Sequence, residues 1–498
     1  MTLEKILTGV PHQILQDDAP GADISLITID SRKVQPGTLF ICLKGLTLDG
    51  HNFVSAAAEA GAVAVLVEGY PTDSSYPTGL TVISVENTRE AMAYMAANFF
   101  GHPAEKLRLI GVTGTNGKTT TTHFIEELLR KLGHKTGLIG TVGAKVGDTI
   151  LDIPYATSTT PDPLELHAIF AKMVELGVQD VIMEVSSHAL ALHKMAGLTF
   201  DVGVFTNLTQ DHLDFHGTME NYALAKSQLF AQSKIAVVNE DDKFTPNMLK
   251  SFTGSTVKYS IDEDADLQAV NIEYKQQGST FELLGEAYHL PVSGKFNIYN
   301  ILATIGTAVA LNFGAKFSKA ATEDGYTKEI REAVSKISGV PGRIQSVPND
   351  LGVQIYADYA HSPDGLENII NAVREVTRGR VITLFGCGGD RDKTKRPLMG
   401  EIAGRLSDYC ILTSDNPRTE DPYEIIAQAE AGVVLAEASY EICENRRDAI
   451  FAGVKMLKPG DALIIAGKGH EDYQEVGTTK YPFSDFKVAE QAIHERNQ

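Results

Sequence analysis

Lys106-Leu-Arg-Leu-Ile-Gly-Val-Thr-Gly-Thr-Asn-Gly-Lys-Thr-Thr120 is the stretch that decides the fold. It reads as a buried strand, a glycine turn and the start of a helix. Leu107, Leu109, Ile110 and Val112 form the apolar run. Gly114-Thr115-Asn116-Gly117-Lys118-Thr119 forms the turn, and Ile125, Leu128, Leu129 and Leu132 then recur at helical spacing. A glycine turn feeding a helix N-terminus aims several backbone N–H groups at one spot, which suits a phosphate chain. Lys118 would reach the outer phosphates, and the Thr119 hydroxyl would bind Mg²⁺. The general pattern wants glycine five residues before Gly117, where Val112 stands, so the loop is a shorter variant.

The chain has 498 residues, enough for about three domains. Hydrophobic residues make up 43% of it, which supports several packed cores. No apolar run reaches membrane-spanning length and the first residues carry no signal-peptide pattern, so a soluble cytoplasmic protein is expected. Cys42, Cys387, Cys410 and Cys443 form no C-x-x-C pair, which argues against zinc and against a disulfide framework. The formal net charge is −20, from 64 acidic and 44 basic residues, and disfavours nucleic acid or an anionic membrane as partner. A small anionic ligand stays compatible, because cations lining a cleft outweigh acidic surface lying beyond a Debye length of about 8–10 Å.

Residues 1–107 read as a small α/β unit, with strands expected at Ser25–Ile29, Thr38–Cys42 and Ala62–Val67 and helices at Phe53–Ala60 and Thr88–Phe100. Gly101-His102-Pro103 makes a linker. From 108 to 338, strands (Val181–Val185, Val202–Thr206) alternate with helices (Pro163–Leu176, Asn297–Leu311), which argues for a mostly parallel sheet covered on both faces. Residues 257–293 look like an inserted β-segment. Ser338-Gly-Val-Pro-Gly342 marks a boundary. Beyond it, residues 339–498 place strands at Val353–Ala357, Val381–Phe385, Tyr409–Thr413 and Ala462–Ala466, a Rossmann-like unit. The fold class is therefore α/β with three domains.

The phosphate loop alone says only nucleotide. Met183-Glu184-Val185-Ser186-Ser187-His188 ends one expected strand, and Thr206-Asn-Leu-Thr-Gln-Asp211-His212-Leu-Asp-Phe-His-Gly217 follows another. Ligands of open parallel sheets bind outside the carboxyl ends of the strands, so the loop, Glu184 and His212 should converge. A carboxylate and an imidazole beside a phosphate chain suit a divalent metal.

Taken together, Gly114–Thr120, Glu184–His188, Asp211–Gly217, Ala225-Lys226, Asn297 and Asn300, Gly342-Arg343, Asp358-Tyr-Ala-His361-Ser-Pro363 and Gly467-Lys-Gly-His-Glu471 resemble the Mur ligases, in family order and over essentially the whole chain. Ser31-Arg32, Pro36-Gly37 and Asp49-Gly-His51 resemble the N-terminal domain of the member that adds the third residue of the peptidoglycan stem peptide. The resemblance implies an N-terminal domain for a UDP-linked substrate, a central ATP-binding domain and a C-terminal domain for the incoming amino acid. ATP would phosphorylate a substrate carboxylate, and an amine would displace phosphate from the acyl phosphate. No side-chain nucleophile is needed; positioning and charge neutralisation carry the reaction.

By the same resemblance Lys118 cradles the phosphates, Thr119 binds one Mg²⁺, and Glu184 and His212 hold Mg²⁺ where carboxylate and γ-phosphate meet. Arg343 and His361 reach the phosphates from the third domain, and Asn300 and Asp358 contact adenine and ribose. Lys226 reads by itself as a surface lysine on an amphipathic helix; in the family the matching lysine is carbamylated and becomes a magnesium ligand. Ser31 would bind the uridine end, and Thr159, Thr160, Ser186 and Lys194 the muramoyl-dipeptide. Lys194 stands where the family usually has arginine, and Leu192 where glutamine is common.

Asp415-Asn416-Pro417-Arg418 resembles the motif of members that add meso-2,6-diaminopimelate. Arg418 and Arg391 would grip the distal carboxylate that lysine lacks, with Glu471 and the Gly467 carbonyl for the distal ammonium. L-lysine is the alternative amino acid. A nucleotide switch would not need Glu184, His212, Lys226 and the third domain, and a folylpolyglutamate synthetase would lack the Ser31 domain and the Asp-Asn-Pro-Arg motif. Small-molecule partners and a monomer are expected.

Overall fold

The computed structural model describes residues 1–45, 48–69, 75–141, 143–153, 159–275, 278–313, 326–340 and 342–496. Pro341, within the boundary segment read from the sequence, lies outside the described residues, as do residues 276–277 of the expected β-segment.

The decisive stretch folds as a strand, Arg108–Thr113, and a helix, Lys118–Lys131, joined by the glycine turn. Two glycines make the turn possible. Gly114 has φ +152°, and a Cβ there would lie 1.8 Å from Thr206 Oγ1. Gly117 is left-handed at φ +83°, and a Cβ there would lie 2.6 Å from Asn300 Oδ1. Ile125, Leu128 and Leu129 are buried, as their spacing required.

Around this unit stands an eleven-stranded sheet. Arg108–Thr113 lies between Asp180–Glu184 and Phe200–Phe205, parallel to both. One face is covered by Lys118–Lys131 and by Lys295–Phe313, which carries Ile298, Ile301, Leu302 and Ile305 into the core. Pro163–Glu175 and Met219–Ala231 cover the other face. Pro163–Glu175 starts with a capping box between Asp162 and Glu165. The region 257–293 is a continuation of this sheet and not an insertion. Ser255–Ser260 pairs in parallel with Ser233–Asn239, Leu267–Lys275 follows, and Gly278–Leu283 with Glu286–Leu290 finishes the edge antiparallel. Tyr259, Leu267, Phe281 and Leu290 of this region join the core beneath Lys295–Phe313, which is why it packs onto the sheet.

Residues before this sheet form a five-stranded one, and residues after it a six-stranded one. In the N-terminal sheet Leu26–Thr28, Thr38–Ile41, Ala62–Glu68 and Thr81–Val85 run parallel, and Gln13–Asp17 closes the edge antiparallel. Sequence patterning missed Gln13–Asp17 and Thr81–Val85. In the C-terminal sheet Gln354–Asp358, Ala462–Ala466, Val381–Phe385, Tyr409–Leu412 and Tyr440–Ile442 lie side by side in parallel. Its carboxyl ends are held by an ion pair with no exposed side-chain surface. Arg446 donates from Nε and Nη2 to Asp485 at 2.8 and 2.7 Å, and from Nη2 to the Ala466 carbonyl at 2.9 Å.

Breaking this pair strands a buried charge. Arg446→Ala should therefore lose about 3–5 kcal/mol of stability in urea unfolding followed by circular dichroism, whereas Arg446→Met combined with Asp485→Leu should lose far less. Equal losses for the two proteins would show that the hydrogen bonds Arg446 makes, and not the charge left behind, carry the stability.

Candidate active site

The carboxyl ends of the central and C-terminal sheets face a shared cavity of about 1170 Å³. The residues singled out from the sequence line it, except Ser31, Gly114 and Pro417. Ser31 instead opens a short 3₁₀ turn, Ser31–Lys33, in the N-terminal domain, where Asp30 caps it by accepting from Arg32 N.

At one end of the cavity lies the phosphate loop. The helix Lys118–Lys131 follows left-handed Gly117 without a side-chain cap, so its first N–H groups are left for a ligand. Lys118 Nζ is folded back, donating to the Gly114 and Thr115 carbonyls at 2.9 and 2.8 Å. Burial pushes its ammonium down, opposed by Glu184 and Asp211. Asn300, the expected adenine contact, lines the cavity. It accepts from Thr121 Oγ1 at 3.1 Å and packs against Gly117, bracing the loop.

Thr119 Oγ1 donates to Glu184 Oε2 at 3.0 Å and accepts from Arg343 Nη2 at 3.2 Å. The other oxygen, Glu184 Oε1, accepts from Thr141 N at 2.8 Å. Parallel pairing sets Glu184 level with Val112, which brings its carboxylate to the loop. Arg343 stacks on the Tyr359 ring, 4.5 Å from its centroid. Asn116 Nδ2 donates to Asp364 Oδ2, a second contact between the loop and the third domain.

His212 has left-handed φ +54° and stands edge-on to His188, with ring centroids 4.8 Å apart. Burial lowers its pKa, against the pull of Asp211. Lys226 is 1% exposed, so the amphipathic-surface reading of its helix fails at that position. Its Nζ donates to the Gly114 carbonyl at 2.7 Å and sits 4.6 Å from the Tyr222 ring centroid. Desolvation first, and then Lys118, push its pKa well below that of a free lysine.

Buried Thr119 and Glu184 supply adjacent hard oxygens, with a nitrogen donor from His212 in the same wall, which fits Mg²⁺. Among the described residues no three His, Cys, Asp or Glu side chains gather to hold a metal.

Thr160 Oγ1 donates to the Glu184 carbonyl at 2.9 Å and pairs with Ser186 Oγ at 3.3 Å. Lys194 forms an ion pair with Asp162 at 2.9 Å, a single charged contact where arginine could fork. Both oxygens of Asp358 are engaged by backbone N–H groups, Ile344 and Ala360. Its carboxylate, the expected ribose contact, lines the cavity and fixes the turns carrying Arg343 and His361.

At the far end, Arg418 donates from Nε to Glu475 at 3.0 Å and from Nη1 to the Gly389 carbonyl at 2.7 Å. Arg391 is exposed and donates to the neighbouring Asp390 carbonyl. Asp415, Asn416 and Glu471 share one partner, Lys468 Nζ. Sequence reasoning missed Lys468 and Asp364 as site residues. Lys468 sat inside a quoted motif without an assigned role, and Asp364 looked like an ordinary acid in a first helical turn.

Three family descriptions match the chain: Mur ligase family, catalytic domain, over residues 23–100; Mur ligase middle domain, over 112–308; and Mur ligase, glutamate ligase domain, over 342–469. The chain belongs to the Mur ligase family. It is 42% identical over 501 residues to UDP-N-acetylmuramoyl-L-alanyl-D-glutamate–2,6-diaminopimelate ligase 1 of Clostridium acetobutylicum, covering 99% of this chain and 100% of the relative. It is 44% identical over 509 residues to the ligase of that name from Geobacillus thermodenitrificans, with both chains fully covered. A solved structure of a ligase of that name aligns at TM-score 0.65 and 32% identity, over 95% of this chain and 96% of the other.

The imidazoles of His123, His361 and His470 have pKa values pushed down to about 4, chiefly by burial. Unfolded histidine titrates near pH 6.5, so between about pH 6.5 and 4 the unfolded chain binds more protons. The stability these neutral rings contribute is complete above pH 6.5 and is lost as pH falls through 4. The melting temperature should therefore drop steadily from pH 7 to 5; a flat profile in differential scanning calorimetry would contradict neutral burial.

Proposed function

We propose that this protein is an ATP-dependent ligase that joins meso-2,6-diaminopimelate to UDP-N-acetylmuramoyl-L-alanyl-D-glutamate during peptidoglycan precursor synthesis. The observation that carries this reading is a single cavity with the phosphate loop at one end and Arg418, Asp415, Asn416 and Glu471 at the other. Full-length relatives named for that reaction support it. A switch would leave the second cluster without a task, and a folylpolyglutamate synthetase would lack the Ser31 domain and the Asp-Asn-Pro-Arg motif. With domain limits at 107/108 and 338/339, the UDP-linked substrate spans the first and second domains and the amino acid enters from the third. The reading implies a cytoplasmic monomer acting on small molecules.

The free carboxylate of the UDP-linked dipeptide attacks the γ-phosphorus of ATP, forming an acyl phosphate and releasing ADP. The amine of the incoming amino acid adds to the acyl carbon, loses a proton, and the tetrahedral intermediate expels phosphate. Lys118 turns from the loop carbonyls to the transferring phosphoryl group, whose charge Arg343 also neutralises. His361, held through Nδ1 by the Tyr359 carbonyl at 2.8 Å, stays neutral and faces the same end. Thr160, Ser186 and Lys194 orient the dipeptide, and the contacts from Arg343 to Thr119 and from Asn116 to Asp364 hold the domains closed around it.

Mg²⁺ when bound would screen the negative charge between phosphate and carboxylate. Thr119, Glu184 and His212 would hold it, together with Lys226 as a carbamate. A neutral buried amine is the form that adds to CO₂, and the carbamate turns a cation into an oxygen anion suited to magnesium.

Arg418 distinguishes diaminopimelate from lysine. An amino-acid panel scored by ADP release with the UDP-linked dipeptide should give diaminopimelate as the preferred substrate. Arg418→Ala should reduce its use by roughly 10- to 100-fold, the loss of one charge-assisted contact, with little change in the KM for ATP. Turnover of L-lysine equal to that of diaminopimelate by the unmutated protein would refute the assignment.

Lys226→Ala should nearly abolish ligation, with partial recovery on adding a short carboxylic acid, and Lys226→Arg should stay inactive because it restores the cation. Mass spectrometry under bicarbonate reads the modification directly. Full activity in Lys226→Arg would rule the carbamate out.

A further inference from the structure

Behind the amino-acid end of the cavity lies a lysine that does not line it. Lys468 has no exposed side-chain surface. An ammonium has three protons, and buried charge is tolerated only when paired and hydrogen-bonded. Lys468 Nζ spends all three, donating to Asn416 Oδ1 at 2.8 Å, Glu471 Oε2 at 3.1 Å and Asp415 Oδ1 at 3.3 Å. These three acceptors do line the cavity. They come from two loops, one after Tyr409–Leu412 and one after Ala462–Ala466, which Lys468 ties together.

The same contacts set the Asn416 amide. Its Oδ1 accepts from Lys468 Nζ and from Glu475 N, both at 2.8 Å, while its Nδ2 donates to Glu471 Oε2 at 2.9 Å. A flipped amide would set its NH₂ against an ammonium and an N–H, and its oxygen against a carboxylate. Through Asn416 the network reaches Glu475, the residue that holds Arg418. The orientation of the acidic cluster and the placement of the arginine are thereby coupled.

Charge follows from the same count. Asp415 and Glu471 are two carboxylates, and Lys468 leaves the cluster one net negative charge. That matches one ammonium. The Arg418–Glu475 pair is neutral, with the arginine available to line the cavity. A distal centre carrying both ammonium and carboxylate sets its ammonium against this single negative charge and its carboxylate toward the Arg418 guanidinium. Without Lys468 the cluster would carry two negative charges, drawing a bare ammonium more strongly and repelling the adjacent carboxylate.

We propose that Lys468 is a positioning and specificity-determining residue. By fixing Asn416 and Glu471 and cancelling one carboxylate charge, it favours a diamino acid with a distal carboxylate over one without. This rests on the diaminopimelate reading above.

The test compares the unmutated full-length protein with Lys468→Met, which keeps the volume, and Lys468→Gln, which keeps hydrogen-bond donors without the charge. Each is assayed by ADP release with meso-diaminopimelate and with L-lysine. The kcat/KM ratio of diaminopimelate to lysine should fall about tenfold or more in both variants, through KM for diaminopimelate, because a buried charge acts at short range. The KM values for ATP and the UDP-linked dipeptide should change much less than that for diaminopimelate, since Lys468 Nζ bonds only Asp415, Asn416 and Glu471 and no residue of the phosphate loop. A merely structural lysine would lower activity with both amino acids together and leave the ratio unchanged, which would overturn the proposal. Failure of both variants to fold would assign Lys468 to stability alone and overturn it equally. If the unmutated protein ignores diaminopimelate, the functional reading itself fails, a result distinct from an unchanged ratio.

Discussion

The hydroxyl of Thr119 joins three parts of the chain that have no local reason to meet. It donates to Glu184 on the neighbouring strand and accepts from Arg343 in the third domain. One hydroxyl serves both only if its backbone is placed to within a few tenths of an ångström. That placement comes from the helix start at Lys118, which needs a left-handed glycine at 117 and the brace of Asn300. It comes equally from the parallel register that sets Glu184 level with Val112. The phosphate loop, the candidate metal ligands and the domain contact are therefore one mechanical unit.

A chain with net charge −20 hides three cations in or behind this cavity. Lys226, Arg446 and Lys468 are all at 1% exposure or less, and each offsets its desolvation differently. Arg446 takes a carboxylate in fork geometry. Lys468 divides its three protons among an amide and two carboxylates. Lys226 donates to a carbonyl and sits over an aromatic face, with Lys118 nearby, and burial holds its pKa well below a free lysine's. The first two arrangements stabilise a fixed charge. The third favours an uncharged amine, which is the chemically reactive form.

Much of the fold was legible because it rests on local rules. Thr88–Phe100, Val381–Phe385 and Ala462–Ala466 begin and end where apolar spacing and the flanking Asn87 cap or glycines put them. The misses have local reasons too. Gln13–Asp17 is a polar edge strand with little burial, and Thr81–Val85 is short, with neither flank marked strongly. The β-rich stretch after Tyr259 was visible as strands, but whether it stood apart or extended the sheet depended on the core beneath Lys295–Phe313.

The sequence by itself determined the strand, glycine turn and helix, since φ preference and hydrophobic period act within a few residues. It also determined which side chains had chemistry to offer. Only the tertiary structure decided how they are used. Asn116 meets Asp364 across 248 residues, and Asn416 meets Glu471 across 55. Lys226 is buried because its helix turns that side toward the Gly114 carbonyl. Asp358 accepts from two backbone N–H groups because two turns of the third domain fold over it. Such partnerships depend on sheet register and on the apposition of two domains, and neither leaves a periodic trace in the chain.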